Sequence, residues 1–400
     1  MKGLLALIAL LAASDAAAQV DTARRDLIQL GYDRPLSRHA PVDGYVFYYM
    51  NRQLDRKDMY LRLVVAPVYL DSELGIRGFM DKWTDLGIGV GGGGFAQSYS
   101  EIRQGRYFPE ESFTGNAATF STSLYHRFNP QSRIPFTGVA RVSVLAAYFG
   151  APLQDGRGFL PPRSNVTYAN RFGFRWGGME PEIGARRAME LSSWYEARFR
   201  DREGDYGYSG DRSLNSRTHL AWGRALLVYT LPESGKHFET SLTAGTSASA
   251  DRLNAYRLGG SLPMEAEFPL NIPGYLRQEL SARRFALFQA LYGVPVDGSR
   301  QWAAGLRGAA AYLRFLPGLE QPGSMQTGAG TWLEYNSPKR IWKTVLSYGY
   351  GFQALRQGGR GAHSISLVAQ CNLRTASGEA TPGRPAIEHP FWNTLQSIFR

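Results

Sequence analysis

Apolar and polar side chains exchange places at every residue through the last third of the chain, from about residue 285 to 374. In the run that begins at Trp342, the residues Trp342, Thr344, Leu346, Tyr348, Tyr350 and Phe352 share one face, while Lys343, Ser347, Gly349 and Gln353 share the other. The next run repeats this, with Ile365, Leu367, Ala369, Cys371 and Leu373 set against Ser364, Ser366, Gln370, Asn372 and Arg374. A period of two predicts strands. When every strand carries one apolar and one polar face, it predicts an all-β protein: a transmembrane antiparallel β-barrel with lipid outside and water inside.

The same alternation recurs upstream over 45–51, 59–70, 84–99, 113–128, 136–149, 165–176, 188–202, 217–231 and 238–249, between clusters of Gly, Pro, Asn and Asp. Over 188–202, Met189, Leu191, Tyr195, Ala197 and Phe199 oppose Glu190, Ser192, Glu196, Arg198 and Arg200. Trp194 breaks the pattern by standing on the polar face. A long connection, 251–275, then precedes five more runs, 279–294, 302–315, 326–336, 341–355 and 363–374. The sum is about fourteen strands, and the even-number preference of bacterial barrels sets the expectation at about 14–16.

The ends differ from the middle. Met1-Lys2, the apolar run 3–13 and Ala16-Ala17-Ala18 read as a signal peptide over 1–18. No other segment approaches the roughly 20 uninterrupted apolar residues of a spanning helix. Residues 19–44 are polar around a small cluster, Leu27, Ile28 and Leu30, and read as a short periplasmic or lumenal segment ahead of a barrel over 45–374. After it, 375–390 is rich in Gly and Pro, and Phe391, Trp392, Leu395, Ile398 and Phe399 fall at helical spacing, which predicts a linker and an amphipathic helix over 375–400.

Composition sharpens this reading. The 45 glycines and 13% aromatics suit close-packed tilted strands with aromatic girdles. A net charge of +11 suits either an anion-attracting lumen or contact with lipopolysaccharide phosphates. The lone cysteine, Cys371, has no internal partner for a disulfide.

Three stretches carry a family resemblance. Tyr256-Arg257-Leu258-Gly259-Gly260, then Pro263 and Pro273-Gly274-Tyr275, and then the strand 279–294 together resemble the C-terminal barrel of the BamA/TamA outer-membrane family, also called bacterial surface antigens. Gly328-Ala329-Gly330-Thr331-Trp332 through Ser337-Pro338 is similar to the glycine-led strand of that family. The resemblance covers about 255–374 and implies a sixteen-stranded barrel whose sixth extracellular loop precedes the last five strands and folds into the lumen. It further implies that Arg257, within the motif Arg257, Leu258, Gly259 and Gly260, pairs with the inner wall; Glu265, Glu267, Glu279 and Glu334 are the candidate partners. The family's wall acid is missing here, since Tyr312-Leu313-Arg314 stands in its place. The family's terminal aromatic is also missing, and the periplasmic POTRA repeats of members that insert or secrete proteins do not fit into 19–44.

Catalytic chemistry finds little support in the sequence. His363 and Ser364 are adjacent and so point to opposite faces of a strand. His126 and His219 lack a spaced Ser or Asp, and no nucleophile elbow is present. No metal-ligand spacing occurs, and Gly91 to Gly94 lacks the Lys-Ser/Thr of a phosphate loop, so it reads as a crowded bend. No cofactor is implied, and basic residues alternate by face instead of forming a nucleic-acid patch. The expected role is non-enzymatic passage or assembly across a bacterial outer membrane, with lipid, lipopolysaccharide and periplasmic or membrane proteins as partners. A passive anion-preferring channel lined by Arg141, Arg198, Arg200 and Lys343 is the alternative, and a lipid-modifying enzyme is the more distant one.

Overall fold

A computed structural model describes residues 24–36, 43–132, 134–154, 157–178, 183–263, 268–356 and 359–376. The signal peptide and the C-terminal helix expected from sequence lie outside the described residues. In chain order the strands are β1 (Arg25–Pro35), β2 (Asp43–Gln53), β3 (Met59–Ala66), β4 (Tyr69–Asp81), β5 (Thr84–Gly93), β6 (Tyr99–Arg103) and β7 (Arg106–Arg127). They continue as β8 (Phe136–Pro152), β9 (Phe159–Leu160), β10 (Asn165–Gly178), β11 (Arg187–Arg200), β12 (Gly204–Tyr208), β13 (Arg212–Leu214) and β14 (Arg217–Thr230). The last are β15 (His237–Ala248), β16 (Tyr256–Leu258), β17 (Leu280–Pro295), β18 (Trp302–Phe315), β19 (Met325–Asn336), β20 (Trp342–Arg356) and β21 (Gly359–Asn372).

Sixteen of these form a closed antiparallel barrel. The short strands β6, β9, β12, β13 and β16 belong to connections. Closure is made by β1, which pairs with β2 on one side and with β21 on the other, from Leu27↔Asn372 to Pro35↔Ser364. Closing the ring leaves no edge strand, so each wall strand pairs with a neighbour on both sides without recourse to water.

The reading of 19–44 as a short periplasmic or lumenal segment therefore needs correcting: Arg25–Pro35 is the first wall strand, and the barrel starts there, not at residue 45. Ile28, Leu30 and Tyr32 are exposed on the lipid side, while Gln29 and Asp33 are buried inside. Two neighbouring strands impose this geometry on a segment whose apolar content is too low to announce it. β4 is the second strand hidden in the sequence. Its connection from β3 is the tight turn at Pro67-Val68, without glycine, so the alternation of β3 runs on into β4 with no visible stop. These two strands make up the difference between fourteen and sixteen.

The outer surface follows the alternation. On β18, Trp302, Leu306 and Tyr312 are exposed, and Ala309, Ala311 and Leu313, which point the other way, are buried inside. The bend at Gly91 to Gly94 is crowded by backbone: a Cβ on Gly92 would meet the Ala117 carbonyl, and one on Gly93 the Val68 carbonyl. Because Leu306 faces hydrocarbon near mid-height, Leu306→Arg is expected to cost about 2–4 kcal/mol, against a small effect for Leu306→Ala. Equilibrium unfolding from lipid vesicles measures the difference.

Candidate functional site

The connection between β15 and β17 enters the lumen. β16 pairs with the start of β17, and Gly260 bridges Ile272 beyond it. Leu258, Ile272 and Tyr275 then pack with Leu280, Leu287, Leu313, Ala354 and Ala362 of the inner wall to form the largest buried apolar cluster. A polar-lined barrel has room for such a cluster only where a loop brings apolar side chains to meet apolar inward positions.

Pro273-Gly274-Tyr275 seats in a recess that glycines cut into β19 and β20. A Cβ on Gly328 would lie 2.3 Å from the Pro273 carbonyl oxygen, and one on Gly349 would lie 2.7 Å from the Gly274 nitrogen. Gly274 has φ +84°, and its own Cβ would strike the backbone of Gly351. The Tyr275 hydroxyl donates to Gln326 at 2.9 Å, and the Gly274 N–H reaches the Ser364 hydroxyl at 3.3 Å. The two glycine-rich motifs singled out in the sequence are thus the two halves of one contact.

The ion pair seen at the base of the loop joins Glu279 to Arg356. Among the described residues Arg257 meets no carboxylate directly; its Nη2 donates to the Ser100 carbonyl at 2.7 Å, and its guanidinium lies 4.6 Å from the Tyr99 ring centre. The expected partners are placed elsewhere. Glu265 and Glu267 lie outside the described residues. Glu279 accepts from Arg356 of β20 at 2.8 and 3.0 Å and from the Leu276 N–H at 2.7 Å. Glu334 pairs with Lys343 at 3.5 Å. In the Glu279–Arg356 pair the carboxylate belongs to the connection and the arginine to the wall. Arg307 of β18 adds a bond to the Ser261 hydroxyl at 2.9 Å, and Arg277 a pair with Asp43 of β2 at 3.0 Å.

The tip of the loop reaches the inner faces of β11 and β14. Phe268 lies 5.9 and 6.1 Å from Trp194 of β11 and Trp222 of β14, and the Arg224 guanidinium is 4.7 Å from its ring centre. Trp194 breaks the alternation of its strand because it faces this tip.

Two further elements close the ends. At the end with long connections, extracellular in such barrels, Tyr99, Phe113, Phe159, Tyr206 and Leu214 form a buried cap over a small sheet of β9, β12 and β13. Inside it, Glu101 accepts from the Tyr99 hydroxyl at 2.6 Å and pairs with Arg252, while Arg212 and Arg103 join Glu101 to Glu111. Burial alone would raise the Glu101 pKa, but Arg252 and Arg212 outweigh it and hold the carboxyl below its usual range. At the periplasmic end, the β10–β11 connection reaches across the mouth to β20 and β21. Lys343 donates to the Ile183 and Gly184 carbonyls at 3.1 and 3.3 Å, and the Ile183 N–H donates to Gln370 at 3.1 Å.

The four cations proposed to line an open pore all turn inward, and each has a partner. Arg141 pairs with Glu73 at 3.0 Å, Arg198 with Glu196, Arg200 with Asp251 at 2.7 Å, and Lys343 with Glu334. A cavity of about 160 Å³ remains beside Asp71, Ser121, Arg141, Arg171 and Glu196, with both signs of charge on its walls. The strand histidines engage hydroxyls: His126 with Thr84 at 2.8 Å and His219 with Tyr195 at 2.8 Å. His363 meets Tyr348, while Ser364 on the opposite face bonds the loop.

No family profile matches the sequence, and no curated protein matches it. Solved structures do resemble the fold. CdiB from Acinetobacter baumannii superposes over 86% of this chain and 60% of its own, with a TM-score of 0.57 at 10% identity. CdiB from Escherichia coli gives 87%, 62%, 0.55 and 13%. BamA from Haemophilus ducreyi lacking POTRA domains 1–3 gives 87%, 70%, 0.54 and 10%. The fold is similar to the barrels of BamA and CdiB. The chain spans less than two thirds of either CdiB structure.

Within this BamA-like barrel, the residues that sequence missed are Arg356, Phe268 and the acids and arginines of the cap. Only Trp194 left a trace, as an aromatic on a polar face. Replacing Glu279 by Ala strands Arg356 in a buried site and is expected to cost about 3–5 kcal/mol in unfolding measurements. The cap carries an acid dependence. With its folded pKa depressed, Glu101 contributes stability in full above its ordinary value of 4.5, lost as pH falls through the lower folded value. Protease cleavage within residues 99–112 is therefore expected to rise below about pH 4.5, and Glu101→Gln to show that sensitivity already at neutral pH.

Proposed function

We propose that this chain is a non-enzymatic outer-membrane translocation or assembly barrel, working on protein or solute cargo. The observation that carries this reading is the seating of the 251–275 connection in a glycine recess of the inner wall, from which it crosses the lumen. A conduit built only for diffusion gains nothing from a buried apolar clamp in its own channel. A barrel that opens on demand needs a resident occluder held by contacts that can be exchanged for others. The BamA-like fold supports the same reading, although with so low an identity it speaks only for architecture.

The passive anion-preferring channel is less well supported, because the inward cations that would select anions are neutralised by carboxylates. A lipid-modifying enzyme has no assembled nucleophile and base in its favour among the described residues.

Planar-bilayer recording tests the reading. The intact protein is expected to give small, irregular conductance, and deletion of residues 255–275 to give larger, steady steps. Stable charge-selective steps from the intact protein would instead establish the diffusion channel. Comparing the surface and outer-membrane proteins of cells with and without the chain would then identify the cargo.

A further inference from the structure

We infer that the extracellular rim of β17 and β18 carries a binding site for the phosphate groups of an outer-leaflet glycolipid, lipopolysaccharide, built from Arg283, Arg284 and Arg314. The site begins with an irregularity in β17. Up to Arg284 this strand pairs with the wall strand β15, through Thr246↔Arg284. From Ala282 toward its start it pairs instead with β16 of the inward loop. The ladder to β18 skips a residue at the same place, between Ala282 and Arg284. Arg283 is the extra residue of this bulge, and Arg283 and Arg284 are both exposed, which strict alternation forbids to neighbours.

Register adds the third cation. Arg284 stands directly opposite Arg314 of β18, which is also exposed. Like charges in that position repel, and nothing local relieves them: among the described residues none of the three guanidinium groups has an ion-pair, hydrogen-bond or ring partner. The contrast with the lumen, where arginine after arginine meets a carboxylate, is the second reason to look for an external counter-ion.

Depth selects which one. On β18 the lipid-facing side runs from Trp302 to Tyr312 with no charge between them. About ten residue steps of roughly 3.3 Å, on a strand tilted by roughly 40°, cover about 25 Å, the height of the apolar band with its two aromatic girdles. Arg314 is the next outward residue beyond Tyr312, and Arg284 is level with it. The cluster thus sits just above hydrocarbon on the extracellular side. There the outer leaflet presents the phosphates of lipid A, and guanidinium forks match phosphate oxygens in geometry and charge.

Native mass spectrometry of the detergent-solubilised full chain, titrated with diphosphoryl lipid A, dephosphorylated lipid A and phosphatidylglycerol, tests the site. The intact protein is expected to bind diphosphoryl lipid A about tenfold or more tightly than either of the other lipids. R284Q/R314Q is expected to lose that preference, and R284K/R314K to keep most of it. In lipid-free detergent R284Q/R314Q is expected to melt no lower than the intact protein, because it removes a repulsion; a purely structural role for the pair would lower it. Equal binding of diphosphoryl lipid A by the intact protein and R284Q/R314Q, or phosphatidylglycerol binding as tightly as lipid A, would overturn the proposal. If the double variant fails to fold, the same comparison with R314Q alone decides it.

Discussion

A backbone amide or carbonyl facing hydrocarbon without a partner costs several kcal/mol, and everything else in this molecule follows from avoiding that cost. The solution is a ring, and the ring depends on β1. Gln29 of β1 donates to Gln370 of β21 across the seam at 3.1 Å, and the Tyr45 hydroxyl of β2 donates to Gln29 at 2.6 Å, so a lumenal polar ladder reinforces the backbone pairs that shut the barrel. A ring with no edge also has no lateral place for a loop. A long connection can project outward or fold into the space enclosed, and the one between β15 and β17 takes the second course.

What holds it there is a division of labour between shape and charge. Shape is supplied by missing side chains: glycines on β19 and β20 leave the hollow that Pro273-Gly274-Tyr275 fills. Charge is supplied by arginine–carboxylate pairs between loop and wall, in either direction, or between loops. Buried pairs of this sort add little net stability over apolar contacts, but each is costly to break on one side only. They therefore fix where loops sit more than how tightly the barrel folds. The same logic pairs the inward Arg141, Arg198, Arg200 and Lys343 with carboxylates, despite a net charge of +11 for the whole chain. Exposed basic residues remain at the ends of the strands, Arg283, Arg284 and Arg314 among them.

Alternation along single strands was legible wherever a strand carried enough aromatic and branched residues on one side. β18 emerges at Trp302–Phe315, the bounds read from sequence, because an outward tryptophan and tyrosine mark its ends. β1 was not legible, since its apolar side is short and its identity as a strand comes from neighbours that close on it from both ends of the chain. β4 was hidden by a turn made without glycine. The paired glycine motifs were visible as motifs, while their meeting in space was not.

The sequence by itself determined that this chain makes a barrel, that its outside is greasy and its inside wet, and which connection is long enough to fill it. Those properties are local: they follow from side-chain period, turn chemistry and length. Only the tertiary structure decided which arginine clamps the loop, which acid receives it, and why one tryptophan faces inward. Arg356 and Glu279 are 77 residues apart, and Phe268 meets Trp194 of β11, three wall strands away from β17. Choosing among many equally plausible carboxylates requires knowing which strands close the circle, and no periodicity along one strand carries that information.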